Sequence, residues 1–143
     1  MEIKKKNKIL ISIVIPVKNG ASTLEECLFG ISNQTLYPNS EIIILDSESK
    51  DRSSDIARKY NARVVTIKSE EFNHGATRNY GVSLTRGKFV VMTVQDAIPT
   101  DNLWLEKMIS HFDDPEVMGV CGQQIVPHDQ DKNPHQWFRP KSK

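Results

Sequence analysis

Ile9-Leu10-Ile11-Ser12-Ile13-Val14-Ile15 decides the fold. Within Lys8–Pro16 only Ser12 interrupts a run of β-branched and other apolar side chains. A strand with one wet face alternates apolar and polar residues. A strand covered on both faces reads continuously, as in a parallel sheet flanked by helices. The next segment supports that reading. Ser22 opens a helix with Glu25 three residues on as a capping box, and Leu24, Cys27, Leu28 and Ile31 form an i, i+3, i+4, i+7 stripe that can cover one sheet face.

The alternation continues outward from there. Glu41–Leu45 is a second apolar run and stops at Asp46; the polar Ser47–Asp51 leads into a helix over Arg52–Tyr60. Ala62–Ile67 reads as a third strand, Lys68–Asn73 as a loop, and Gly75–Thr85 as a helix. Lys88–Val94 reads as a fourth, buried strand. Asp101 then caps a helix with the stripe Leu105, Met108, Ile109 and Phe112, and Val117–Cys121 is a last strand. Strands alternating with helices through short connections predict an α/β domain: a doubly wound, mostly parallel sheet with helices on both faces and right-handed crossovers. Residues 1–125 make up this domain. Residues 126–143, with Pro127, Pro134 and Pro140 and no periodicity, read as a polar tail.

Bulk properties narrow the function. The 143 residues, 38% hydrophobic and 26% charged, suit one domain with one core. The net charge of +1, from 19 basic and 18 acidic residues, gives no basic face for a nucleic acid. Lys4, Lys5, Lys6 and Lys8 form a solvated lead-in that supports at most peripheral membrane association. Cys27 and Cys121 fit no metal-ligand or disulfide spacing, and the apolar run ending at Pro16 is too short for a signal peptide, so the expected setting is cytoplasmic, at the inner face of the membrane where it meets one at all.

In an open parallel sheet, ligands bind beyond the carboxyl ends of the strands. Val17, Lys18, Asn19 and Gly20 follow the first strand, Asp46, Ser47 and Ser49 the second, His74, Arg78 and Asn79 the third, and Gln95 and Asp96 the fourth. Asp46 alone reads as a turn residue or helix cap, and Ser47, Ser49 and Asp51 as residues that start a helix. Asp96, one residue beyond a strand expected to be buried, needs a partner for its charge, and a hard divalent cation bridging two phosphates is an apt one. Arg78 can neutralise phosphate charge, or be a surface arginine; His74 can hydrogen-bond phosphate, or cap its helix. No glycine-rich phosphate loop is present, so phosphate falls to a metal and side chains.

Four segments in this order resemble the family 2 inverting glycosyltransferases of the GT-A fold. Val14-Ile15-Pro16-Val17-Lys18-Asn19 is similar to that family's first strand and its Ile-Pro-x-x-Asn ending. Asp46-Ser47-Glu48-Ser49-Lys50-Asp51 is similar to its Asp-Asp-x-Ser-x-Asp segment, and Gly75-Ala76-Thr77-Arg78-Asn79 to its Gly-x-x-Arg-Asn helix start. Val94-Gln95-Asp96 falls at its Asp-x-Asp metal motif. Val94 stands in place of the first Asp of that motif, and Ser47 in place of the second Asp of the earlier pair. Asn73-His74-Gly75, Gln95-Asp96-Ala97-Ile98-Pro99 and Gly122-Gln123-Gln124 are similar to the rhamnosyltransferase-like branch. The resemblance implies a UDP- or dTDP-sugar donor, a deoxysugar such as rhamnose, and a glycan or lipid-linked acceptor. It implies a divalent cation, Mg2+ or Mn2+, on Asp96, with Pro16, Val17, Asn19, Asp46, Ser47, Ser49, His74, Arg78 and Gln95 lining the donor site. It also implies that the general base lies beyond residue 143, which makes a non-catalytic nucleotide-sugar-binding module the alternative. A nucleotidyltransferase would use the same kind of sheet, but Val17-Lys18-Asn19-Gly20-Ala21 is a poor version of its glycine-rich basic loop.

Overall fold

The computed structural model describes residues 8–123. The strands are β1 (Ile11–Val17), β2 (Ser40–Asp46), β3 (Arg63–Thr66) and β4 (Phe89–Met92), and the helices are α1 (Leu24–Ser32), α2 (Ser53–Lys59), α3 (His74–Ser83) and α4 (Trp104–Ser110). All strand pairs are parallel, in the order β3-β2-β1-β4. Register aligns Val17 with Asp46 and Asp46 with Thr66, so these strands end at one level. The order reverses beside β1: β2 and β3 lie on one side of it and β4 on the other. The crevice between the ends of β1 and β4 is therefore the topological switch point, where such sheets bind ligands.

Alternation along the strands builds two layers. Ile11, Ile13, Ile15 and Val17 of β1 and Ile42 and Ile44 of β2 pack against Leu24, Cys27, Leu28 and Ile31 of α1, Ile56 and Ala57 of α2, and Leu105 of α4. The opposite face presents Val14, Ile43 and Leu45, with Val65 and Leu84 against them, and α3 lies on this face. Both faces of β1 and β2 are thus dry, as the continuous run at Ile9–Ile15 predicts.

Four expectations change. β4 is shorter than Lys88–Val94 and, among the described residues, stands at the edge of the sheet: Val90, Met92 and Val94 are exposed, and Val91 and Phe89 pack inward, the latter against Phe112. Val117–Cys121 forms no strand, because a strand requires a hydrogen-bonded neighbour and this segment has none among the described residues; Met118 is 92% exposed. The Ser22–Glu25 capping box is not formed. α1 starts at Leu24, and the N–H groups of Thr23 and Leu24 both turn back to the Gly20 carbonyl. The start of α4 is shared: Asp101 Oδ1 accepts from Leu103 N–H at 2.8 Å, while the buried Gln34 Oε1 accepts from Leu105 N–H at 3.1 Å. The expected tail at 126–143 and the Gly122-Gln123-Gln124 segment beyond Gln123 lie outside the described residues.

Candidate functional site

The carboxyl edge of the sheet is stitched together by hydrogen bonds between loops far apart in sequence. After β1 the chain turns sharply at Asn19, whose φ of 47° is left-handed, a conformation asparagine tolerates better than most residues. Each N–H from Asn19 to Ala21 is then met by a side chain of the β2–α2 loop: Asn19 by Ser49 Oγ at 2.9 Å, Gly20 by Ser53 Oγ at 2.8 Å and Ala21 by Asp51 Oδ2 at 2.9 Å. In return Asn19 Oδ1 accepts from Lys50 N–H at 2.9 Å. Asp51 also accepts from Ser53 N–H and Oγ–H, and the Ser53 hydroxyl holds its carboxyl below the usual carboxylate range. Ser49 and Asp51 therefore build the wall of the first loop, a role wider than starting α2.

Asp46, at the end of β2, is 4% exposed, and its carboxylate accepts from Ser49 N–H and Ser54 Oγ. Next to it Ser47 Oγ is buried with no hydrogen-bond partner among the described residues. Such an orphan costs about 1–3 kcal/mol, so its place at a strand end beside Asp46 marks where an additional polar group belongs. The β3–α3 loop joins through Ser69: its Oγ–H donates to the Ser47 carbonyl at 2.7 Å and its N–H to Glu48 Oε2 at 3.0 Å, and Lys18 Nζ reaches the same hydroxyl. The Ser69 bonds hold the Glu48 carboxyl below its ordinary range.

Across the switch point, Gln95 Oε1 accepts from Lys18 N–H at 3.0 Å. Asp96 beside it is exposed, which removes the burial argument for its charge: β4 ends at Met92, and Asp96 lies beyond it in a loop at the edge of the described sheet. Pro16 is half-buried. The Val17 side chain faces the core and its carbonyl accepts from Ser47 N–H, so Val17 shapes the wall and presents no free group. His74 does not cap α3. Asn73 does, its Oδ1 accepting from Gly75 N–H and Ala76 N–H at 3.0 Å each. Arg78 turns back onto its own helix, donating to the His74 carbonyl at 3.1 Å and lying 3.3 Å from His74 Nδ1, while the His74 ring meets Phe72 edge-on. The structure thus joins Lys18, Asn19, Asp46, Ser47, Ser49 and Gln95 into one edge, and leaves Arg78 and His74 paired with each other.

Among the described residues no three His, Cys, Asp or Glu side chains gather as a ready metal cage. What Asp96 offers is a single hard oxygen donor, which fits Mg2+ or Mn2+ when diphosphate oxygens and water complete the shell. Cys27 does not compete for it. Its buried thiol donates to the Val94 carbonyl at 3.6 Å, and burial, with the Asp96 charge, pushes its pKa up to about 12. The thiolate needed for soft ligation or alkylation is therefore scarce. Native protein treated with iodoacetamide at mildly alkaline pH is expected to take one label, on the exposed Cys121, and a second only after unfolding; intact-mass measurement checks this.

The comparisons with known proteins meet this geometry directly. The glycosyl transferase family 2 profile matches residues 12–141. The chain belongs to that family. It is 37% identical over 126 residues to O-antigen chain rhamnosyltransferase RfbN of Salmonella typhimurium, covering 87% of this chain and 39% of that protein. Family 2 membership agrees with the fold: the crystal structure of S. aureus TarS 1-349 superposes with a TM-score of 0.67 at 22% identity, over 87% of this chain and 40% of that one. Glucosyl-3-phosphoglycerate synthase from Mycobacterium tuberculosis, solved with Mn2+, UDP and glucosyl-3-phosphoglycerate, superposes with a TM-score of 0.60 at 26% identity, over 72% and 39%. This family 2 chain spans about two fifths of the length of the curated relatives it matches. No helix among the described residues is long and apolar enough to cross a membrane.

Proposed function

We propose that this chain forms the donor-binding half of a glycosyltransferase that takes a UDP- or dTDP-sugar together with Mg2+ or Mn2+ and transfers the sugar, a deoxysugar such as rhamnose, with inversion to a hydroxyl of a glycan or lipid-linked acceptor on the cytoplasmic side of the membrane. The observation that carries the reading is the switch-point crevice itself, with the β1 and β2 loops tied into one wall and Gln95 and Asp96 forming the other. In this reading Asp46 accepts from the base or ribose, and the neighbouring Ser47 hydroxyl, buried and without a partner among the described residues, supports a polar ligand there. The similarity to RfbN supports the choice of rhamnose.

In this reading Asp96 holds the cation, and a cation so bound neutralises the charge that builds on the departing diphosphate. Lys18, reaching across the loop edge, adds positive charge there; Arg78 reaches phosphate only by leaving His74. These residues match about two fifths of the relatives' length, and donor binding is the step tested on them. Calorimetry with UDP, dTDP and dTDP-rhamnose tests the proposal. Mn2+ should tighten binding of one of them by roughly tenfold, the gain of one charge-assisted contact, and Asp96→Asn should remove that gain. Equal affinity with and without Mn2+, or no binding of any of the three, would overturn it.

A further inference from the structure

We infer that Gln95 acts on the donor site as a positioning residue: by accepting the Lys18 N–H it bridges the chain after β1 to the chain after β4 and holds the Asn19 turn in the shape a nucleotide needs. The inference rests on the donor-site reading and sharpens it. Of the four consecutive N–H groups from Lys18 to Ala21, three are held by Ser49, Ser53 and Asp51, all on the β2 side. Among the described residues, the Lys18–Gln95 bond at 3.0 Å is the one of the four that reaches the β4 side. Without it the turn is anchored to one wall only.

The contact is built from both partners. A Cβ added to Gly20 would lie 2.7 Å from Gln95 Oε1, 2.8 Å from its Cδ and 3.1 Å from its Nε2, so the amide occupies the space that a side chain at position 20 would take, and a larger residue there displaces it. Gly20 is itself buried and hydrogen-bonded to Ser53, so the backbone under the amide is fixed. Asp96 is the next residue in the chain, so the same bond restrains the loop after β4 that carries its carboxylate. A neutral amide suits this role: its oxygen meets an N–H and its length crosses the gap.

The experiment separates acceptor from space-filler. Gln95→Met keeps the volume and loses the acceptor; Gln95→Glu keeps an acceptor at the same reach. Affinities for UDP and dTDP are measured with saturating Mn2+, alongside melting temperature and hydrogen exchange at the Lys18 amide. Gln95→Met is expected to weaken the better nucleotide about fivefold, the worth of one hydrogen bond, and to speed Lys18 exchange, with melting shifted by no more than about 2 °C. Gln95→Glu should hold Lys18 protection near wild type. Gly20→Ala, which displaces the amide, should resemble Gln95→Met, and the two together should add little. Nucleotide binding by Gln95→Met equal to wild type, or Lys18 exchange in Gln95→Glu as fast as in Gln95→Met, would overturn the positioning role. If wild-type protein binds neither nucleotide, the donor-site reading fails and this inference fails with it.

Discussion

Glu41→Ala is expected to destabilise the fold by about 3 kcal/mol: the Arg86 side chain is exposed, so the loss comes mainly from leaving the Ser12 hydroxyl and the Arg86 N–H without their acceptor. Glu41 opens β2 at the end of the sheet opposite the crevice, with its side chain only 9% exposed. Oε1 accepts from Ser12 Oγ at 2.7 Å and Arg86 N–H at 2.8 Å, and Oε2 from Arg86 Nε at 2.9 Å and Nη2 at 2.6 Å. Ser12 Oγ in turn accepts from Gly87 N–H at 2.8 Å, so one carboxylate joins β1, β2 and the segment leading into β4. Burial alone would raise the Glu41 pKa; the bonds from Arg86 and Ser12 outweigh it, and the carboxyl titrates below its ordinary value. The sign follows from linkage: the unfolded chain binds the proton more readily, so Glu41 stabilises the fold above the unfolded-state pKa and the contribution is lost as pH falls through the lower, folded-state one. Urea unfolding at neutral pH should show the full loss in Glu41→Ala, and the gap to wild type should narrow on acidification through the carboxylate range. A gap that does not change with pH would mean that Glu41 acts through volume alone.

The strands and their parallel order were legible because burial on both faces writes itself into local sequence: Ile11–Ile15 and Ile42–Leu45 could hardly be placed anywhere but between two layers. The position of β4 was not legible. Phe89–Met92 is as apolar as the others, yet whether a strand is central or at an edge depends on strand order, which no short window contains. The misreading of Asp96 as a charge beside a buried strand followed from that. The helix starts failed for a related reason. Ser22 has good capping chemistry, but α1 starts at Leu24, and the Thr23 and Leu24 N–H groups are met by the Gly20 carbonyl, in a turn held by Ser49, Ser53 and Asp51 about thirty residues away. The candidate residues fall along the carboxyl edge of the sheet because the rule of carboxyl strand ends needs only element order. What joins them is long-range: Lys18 to Gln95, Ser47 to Ser69. The one available signal was Gly20, whose missing side chain shows that something must lie close to it, though not what.

Gly81→Leu tests the other layer, and there too about 3 kcal/mol is expected, the upper part of the usual range for overpacking. α3 meets the sheet at Gly81, where even a Cβ would fall 2.5 Å from Val14 Cγ1 and 2.8 Å from Leu45 Cδ1. Val14 and Leu45 are both fully buried, in the middle of β1 and β2, so neither can swing away without opening the core on that face. A leucine must push the helix off the sheet. The loss corresponds to a melting temperature lower by roughly 10 °C, which calorimetry reads. Because α3 carries His74 and Arg78 on its first turns while Asn19, Asp46 and Gln95 belong to the sheet edge, displacement of α3 separates the two groups. Gly81→Leu that still folds should therefore keep the Lys18–Gln95 contact and its slow amide exchange, while the Asn73 cap and the His74–Arg78 pair shift. If instead Lys18 loses protection first, the crevice and α3 move as one body, and the two layers are coupled more tightly than their separate hydrogen-bond networks imply.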